Sequence, residues 1–344
     1  MRVLVASTFV PFVEGGGRMI VTDLVRALRE RGHEVDTIEL PFDSRPREQL
    51  EQMLGLRLLH VGDDVDRLIA IRTPSYLLRH DNKVVWFIHH HRGAYDLWGT
   101  PYQDLPADAE GLALREAMMA ADQLGLGEAT ALFSNSRTVR DRLRRFNGLD
   151  AEVLYPPLMD TDRFRSAPAE DYVFYPSRIT EHKRQWLGAE AMAHVRSDVR
   201  LVIAGAPDDD AQLRRLQDTI EKAGVGDRVE LIARWISEQE KADLLSRCAG
   251  LMYIPFDEDS YGYPTLEAYH SGKPVISCTD SGGTREIIED GVTGLMTAPE
   301  PGALAAALDR LREDPRAQEM GAAGRRRIDE LQISWDNVVS RLLA

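Results

Sequence analysis

Asp259 and Glu267, with the turn Ser260-Tyr261-Gly262-Tyr263-Pro264-Thr265-Leu266 between them, are the residues of this chain best suited to hold a polar ligand. A turn bearing Gly262 and Pro264 aims unpaired backbone N–H groups at one spot. The helix read from Thr265 through His270 backs that spot with the positive end of its dipole, an arrangement that suits phosphate or sugar oxygens. Glu267, inside the first helical turns, can accept two hydroxyl protons from a ribose diol, each charged hydrogen bond contributing about 1.5–3 kcal/mol. The bland alternative is a capped helix with its acids in water. The turn, the spacing and the apolar Val275-Ile276 that follows favour the ligand.

Two cations extend this chemistry. Arg178 closes an apolar strand at Tyr175-Pro176-Ser177, and Lys183 follows at the next helix opening. A planar guanidinium and a compact ammonium there can converge on one pyrophosphate, and open parallel sheets bind ligands beyond their strands' carboxyl ends. The alternative is surface charge, and the neighbouring His182 and Arg184 read as solvated. Near the start, Glu14-Gly15-Gly16-Gly17-Arg18 lies between a strand and a helix, where glycines let N–H groups approach an anion closely. It lacks the G-x-G-x-x-G spacing of a dinucleotide site and also fits a tight structural turn.

Three further clusters carry less specific signals. His89-His90-His91 ends the strand Val84–Ile88. If the strand persists, His89 and His91 share a side, and no third metal ligand follows by spacing. Asp208-Asp209-Asp210 reads as a helix N-cap with dipole-complementing acids rather than a metal motif. Gly205 and Pro207 before it would frame a nucleotide. Arg234-Trp235 follows another strand, and Trp235 also fits an ordinary packed aromatic.

The elements that position these residues are short apolar strands alternating with amphipathic helices. Val3–Ala6, Val35–Leu40, Leu68–Ile71, Val84–Ile88, Ala131–Ser134 and Val153–Tyr155 form one series. Val173–Tyr175, Val199–Ala204, Val229–Ile232, Leu251–Ile254 and Val275–Cys278 form a second. Strands this apolar, separated by helices, mean buried parallel sheets, and two series mean two doubly wound α/β domains rather than one barrel. The turn-rich stretch from Pro156-Pro157 through Thr161–Ala169 is the junction, giving domains 1–165 and 166–330. Residues 331–344 follow, with a helix starting at Ser334 and apolar Trp335, Val338, Val339 and Leu342 at helical spacing.

A net charge of −14 over 344 residues argues against broad nucleic-acid binding. The helix carrying Arg137, Arg140, Arg142, Arg144 and Arg145 is a local exception, either a solvated face or a peripheral contact for anionic lipid. No apolar run approaches the roughly 20 residues of a membrane span, and with a strand starting at Met1-Arg2-Val3 no signal peptide is expected. A cytoplasmic protein, at most peripheral on the inner membrane face, is expected. Cys248 and Cys278 read as reduced core residues.

The acidic turn resembles the signature of the retaining nucleotide-sugar glycosyltransferases of the GT-B fold (glycosyl transferases group 1, glycosyltransferase family four). That family keeps two Glu separated by seven residues; here the second is Glu267 and the first is Asp259, one methylene shorter. The resemblance extends to Gly15–Gly17 with Gly32-His33-Glu34-Val35, to Arg178 with Lys183, and to Asp280–Glu286. It implies two Rossmann-like domains facing a cleft, with the C-terminal helix crossing back to the first. The first domain would bind the acceptor and the second a nucleotide-diphosphate sugar.

By the same resemblance Arg178 and Lys183 stabilise the diphosphate and Glu267 holds the ribose. Asp259 and the N–H groups of Tyr261 and Gly262 orient the sugar, and the segment through Tyr263, Pro264 and Thr265 lines the donor. Gly205, Pro207, Arg234 and Trp235 lie in the nucleotide region. Gly16 lies against the diphosphate, and His89, with His91 as the alternative, touches the sugar. No metal or other cofactor is implied, and the partners are a nucleotide sugar and a saccharide or lipid-linked acceptor. A same-fold epimerase and a non-catalytic binding protein are the rival readings.

Overall fold

The computed structural model describes every residue except Val13, Glu14, Ser44 and Pro101; the Glu14 of the glycine turn therefore lies outside the described residues. Twelve strands form two six-stranded sheets among the described residues, and every strand pairs parallel to its neighbours.

The first unit comprises Met1–Pro157 and Ile333–Ala344. Its strands are β1 (Arg2–Phe9), β2 (Glu34–Pro41), β3 (Arg67–Ala70), β4 (Lys83–Phe87), β5 (Ala131–Ser134) and β6 (Glu152–Val153), in the order β2-β1-β3-β4-β5-β6. β3 and β4 are buried along their whole length, as strands covered on both faces must be. Val21, Leu24, Val25 and Leu28 of helix Gly16–Glu30 are buried at helical spacing. The C-terminal helix Trp335–Leu343, capped by the Ser334 hydroxyl on the Asn337 N–H at 3.2 Å, belongs to this unit. Trp335 meets Trp86 edge-on at 6.3 Å. Arg67 donates to the carbonyls of Leu342, Leu343 and Ala344 at 2.8, 3.3 and 3.0 Å.

The second unit, Leu158–Gln332, contains β7 (Tyr172–Pro176), β8 (Arg200–Ala204), β9 (Val229–Ile232), β10 (Gly250–Met252), β11 (Val275–Cys278) and β12 (Gly294–Thr297), in the order β12-β11-β10-β7-β8-β9. The expected boundary after residue 165 is thus corrected to Pro157. Residues 158–165 pack with the second unit: Arg163 reaches Glu238 at 3.7 Å, and the buried Phe164 ring lies 6.4 Å from that of His270. The strand β12 has no counterpart in the expected series. It opens on Gly294, where a Cβ would sit 2.2 Å from the Val275 carbonyl oxygen, so close strand approach replaces the apolar run that marks its neighbours.

Candidate active site

In the second sheet the chain builds outward from β7 to β8 and β9, then crosses to β10 on the other side of β7. The strand order therefore reverses between β7 and β10, and in open α/β sheets ligands bind at such a switch point, beyond the carboxyl ends of the strands. Arg178, Lys183, Glu258 and Asp259 all lie on the loops leaving β7 and β10.

Side chains outside the predicted site residues tie the two loops together. The Tyr175 hydroxyl donates to the Lys183 carbonyl and accepts the Ile254 N–H at 3.3 Å. Arg184, expected in solvent, is only 8% exposed and has a left-handed backbone at φ 57°. Its guanidinium donates to the carbonyls of Ile254 and Pro255 at 2.8 and 3.0 Å and forks onto Asp280 at 2.7 and 2.8 Å. Burial opposes that charge, and the Asp280 carboxylate more than restores it. Such a bidentate pair fixes position as well as charge.

With Arg184 fixed, Lys183 turns its ammonium to the Tyr253 hydroxyl at 2.8 Å and pairs with Glu258. Tyr253 is 3% exposed, and Gly262 explains how the acidic turn lies against it. A Cβ at Gly262 would fall 2.3 Å from the Tyr253 ring, and the φ of 71° also favours glycine. Burial holds the Tyr253 hydroxyl well above its usual range; Glu258 and Glu267 add to the shift and Arg178 opposes it. One buried hydroxyl is therefore within electrostatic reach of Arg178, Lys183, Glu258 and Glu267. Arg178 itself is exposed and donates to Asp208 at 2.7 Å. The other acids of the Asp-x-Asp run belong to the helix start, Asp209 capping the Gln212 N–H at 2.8 Å.

Glu267 lies on helix Tyr263–His270, which begins two residues before the expected Thr265, and is 1% exposed. Its Oε1 accepts from Lys241 at 2.6 Å, while Oε2 is buried with no hydrogen-bond partner. Burial pushes this carboxyl above its usual range, and Lys241 holds it back. A buried acceptor left open is costly unless a ligand completes it. Lys241 sits on helix Glu238–Arg247 and pairs also with Glu238 at 3.0 Å. It lies far from Glu267 in sequence, with no spacing to reveal the contact.

The remaining turn residues serve the turn itself. The Thr265 hydroxyl donates to the Tyr261 carbonyl at 2.8 Å, and both side chains are buried. Pro264 stands in the first helical turn. Gly282 and Gly283, in the 3-10 turn Gly282–Glu286, lie against the Glu258 backbone, with Gly283 N–H on the Glu258 carbonyl at 2.8 Å. Gly205 presses on the loop after β7, since its Cβ would stand 1.9 Å from the Ser177 carbonyl oxygen, and Pro207 bridges Ile179. Arg234 is held by Glu240 at 2.7 Å at the end of the edge strand β9. Trp235 is 62% exposed there, so it is not a packed core aromatic.

In the first unit the equivalent switch point falls between β1 and β3. Gly15 is the N-cap and Gly16 the first residue of helix Gly16–Glu30. A Cβ at Gly17 would lie 3.3 Å from Arg72, which follows β3 and donates to the Thr8 carbonyl at 3.1 Å. β4 ends at Phe87, so strand alternation does not extend through the three histidines. His89 is half-buried with Nδ1 2.7 Å from the His90 carbonyl, and His91 is tied to Asp104 at 3.1 Å. His90 is buried against Phe87 and Tyr95, and burial lowers its pKa to about 4. On helix Arg137–Asn147 the basic stripe is largely answered by acids: Arg140 by Asp141, Arg142 by Asp96 and Arg144 by Asp150. No helix is long and apolar enough to cross a membrane among the described residues.

Comparison with known proteins bears on both units. The family "Glycosyl transferases group 1" matches residues 160–327. Over 381 aligned residues the chain is 25% identical to a D-inositol 3-phosphate glycosyltransferase of Xylanimonas cellulosilytica, covering 96% of this chain and 90% of that one. In fold it is similar to sucrose-phosphate synthase of Thermosynechococcus elongatus, with TM-score 0.76, 19% identity and coverage of 98% and 97%. It is likewise similar to Anabaena HepE, solved in complex with UDP and glucose, with TM-score 0.70, 16% identity and coverage of 99% and 98%. Residues 160–327 thus match the group 1 glycosyltransferases, and the chain as a whole has the GT-B fold of these structural relatives.

Proposed function

We propose that the protein is a retaining hexosyltransferase. It moves a sugar from a UDP- or GDP-linked donor to a hydroxyl of a saccharide or lipid-linked acceptor, in the synthesis of cell-envelope polysaccharide, glycolipid or another glycoconjugate. The observation that carries this reading is a buried, open Glu267 Oε2 in the same unit as the Lys183 ammonium, which the Tyr253 hydroxyl holds at 2.8 Å beyond the carboxyl end of β7. HepE, solved with UDP and glucose, supports the donor class.

In this reading the diphosphate lies at the carboxyl end of β7. Its negative charge grows as the sugar bond breaks, and Lys183 and Arg178 stabilise it without a metal; losing one such group costs about 2.7–4 kcal/mol of barrier. Glu267 accepts from the ribose hydroxyls. Asp259 and the Tyr261 and Gly262 amides orient the sugar. Departure and attack share one face, with a donor phosphate oxygen taking the acceptor's proton, so positioning contributes as much as charge. Gly16 and His89 are the first unit's candidate substrate residues, and that unit takes the acceptor.

The test is incubation of the full chain with a panel of labelled UDP- and GDP-sugars, preceded by thermal-shift ranking of the same donors. Transfer to added acceptors, or slow donor hydrolysis, is the expected result. Isomerisation of the donor would make the protein an epimerase, and no turnover of a bound donor would make it a non-catalytic binder.

A further inference from the structure

We propose that Glu258 is the resident counter-ion of Lys183, displaced by the nucleotide's diphosphate, so that nucleotide binding draws in a proton. This rests on the nucleotide-diphosphate reading of the site above and adds a residue that the family spacing of acids does not include.

The Lys183 ammonium is already engaged, paired with Glu258 and held by the Tyr253 hydroxyl at 2.8 Å, and the two charged side chains are only 12% and 24% exposed. Neither backbone has room to retreat. Arg184 anchors the loop next to Lys183 through Asp280. Gly283 N–H holds the Glu258 carbonyl, and Gly282, at φ 58°, would bring a Cβ within 2.3 Å of the same oxygen. Any exchange of partners is therefore a side-chain event. A diphosphate arriving at Lys183 places new negative charge beside a largely buried carboxylate, and like charges so placed repel strongly.

The groups facing Glu258 fix the direction of the response. Lys183 and His182 face it from the loop after β7 and Tyr253 from the end of β10; Asp257 and Asp259 flank it on its own loop. Burial alone would raise the Glu258 pKa, and Lys183 reverses this, holding the carboxyl below its usual range. Once Lys183 turns to phosphate, burial and the new anion act together and the pKa rises. Its value is then higher in the complex than in the free protein. A proton is taken up between those two values, and affinity falls as pH increases through the bound-state value.

The experiment is calorimetric titration of UDP and GDP into the full-length wild type, Glu258→Gln and Lys183→Ala, in buffers of different ionisation heat and at several pH values. The wild type should take up a proton. Glu258→Gln should take up none and bind about tenfold more tightly, because the competing anion is gone. Binding by Glu258→Gln that is equal to or weaker than the wild type's overturns the proposal, as does wild-type binding without proton uptake. The wild-type buffer series stands without any variant, should Glu258→Gln fold poorly. If neither nucleotide binds the wild type, or Lys183→Ala binds as well as the wild type, the diphosphate reading itself fails and this inference with it.

Discussion

The two sheets share a strand plan, yet their switch points are built from opposite materials. In the first unit a glycine turn meets one arginine: Gly17 lies on Arg72, whose guanidinium is depressed by burial with no described carboxylate to offset it. In the second unit cation meets acid throughout, with Arg178 on Asp208, Lys183 on Glu258 and Arg184 on Asp280. A common topology supplies a place for a ligand and leaves the chemistry to the loops. The second site is suited to exchanging ionic partners with a charged donor, whereas the first relies on close backbone approach.

The sharpest way to break this contrast is to remove the cation at its centre. Lys183→Ala should lower turnover at least about a hundredfold with the fold intact by circular dichroism, and a smaller loss would take Lys183 out of the phosphate site. Next in size is Gly262→Ala, which forces a Cβ onto the Tyr253 ring at a positive φ. It should cost about 1–3 kcal/mol in denaturant unfolding; an unchanged midpoint would show that the turn does not depend on that contact.

Glu267→Ala leaves Lys241 with Glu238 alone and should weaken binding of free UDP or GDP by about 1.5–3 kcal/mol. Unaltered affinity would separate Glu267 from the ribose. The smallest effect belongs to the other unit. The atoms nearest a Cβ at Gly17 belong to the flexible Arg72 side chain, at 3.3 Å, so Gly17→Ala should shift stability by less than about 1 kcal/mol. A loss as large as that of Gly262→Ala would mean that the first turn is as tightly built as the second.

The contrast also explains which parts of the molecule were readable in the sequence. Buried parallel strands announce themselves as apolar runs, so β7 to β11 were legible from Val173, Val199, Val229, Leu251 and Val275 onward. β12 was not, because Gly294 replaces an apolar side chain with close backbone approach. Strand-end position and acid spacing single out Arg178, Lys183 and Glu267, and the structure places the first two on the loop after β7 and the third on helix Tyr263–His270. Arg184 was misread as solvated because a charged residue beside a helix start ordinarily faces water, and only its left-handed backbone turns it inward. Glu258 falls one residue outside the acid spacing, and Lys241 meets Glu267 through packing between two helices. Neither leaves a local pattern. The histidine run was ambiguous for a related reason: alternation holds only while the strand lasts, and β4 stops at Phe87.

A crystal structure of the full chain soaked with UDP tests the central claim most directly. The account predicts a diphosphate within hydrogen-bond distance of the Lys183 ammonium, freed from Glu258, and a ribose hydroxyl on Glu267 Oε2. A nucleotide seated elsewhere, with the Lys183–Glu258 pair undisturbed, would contradict it.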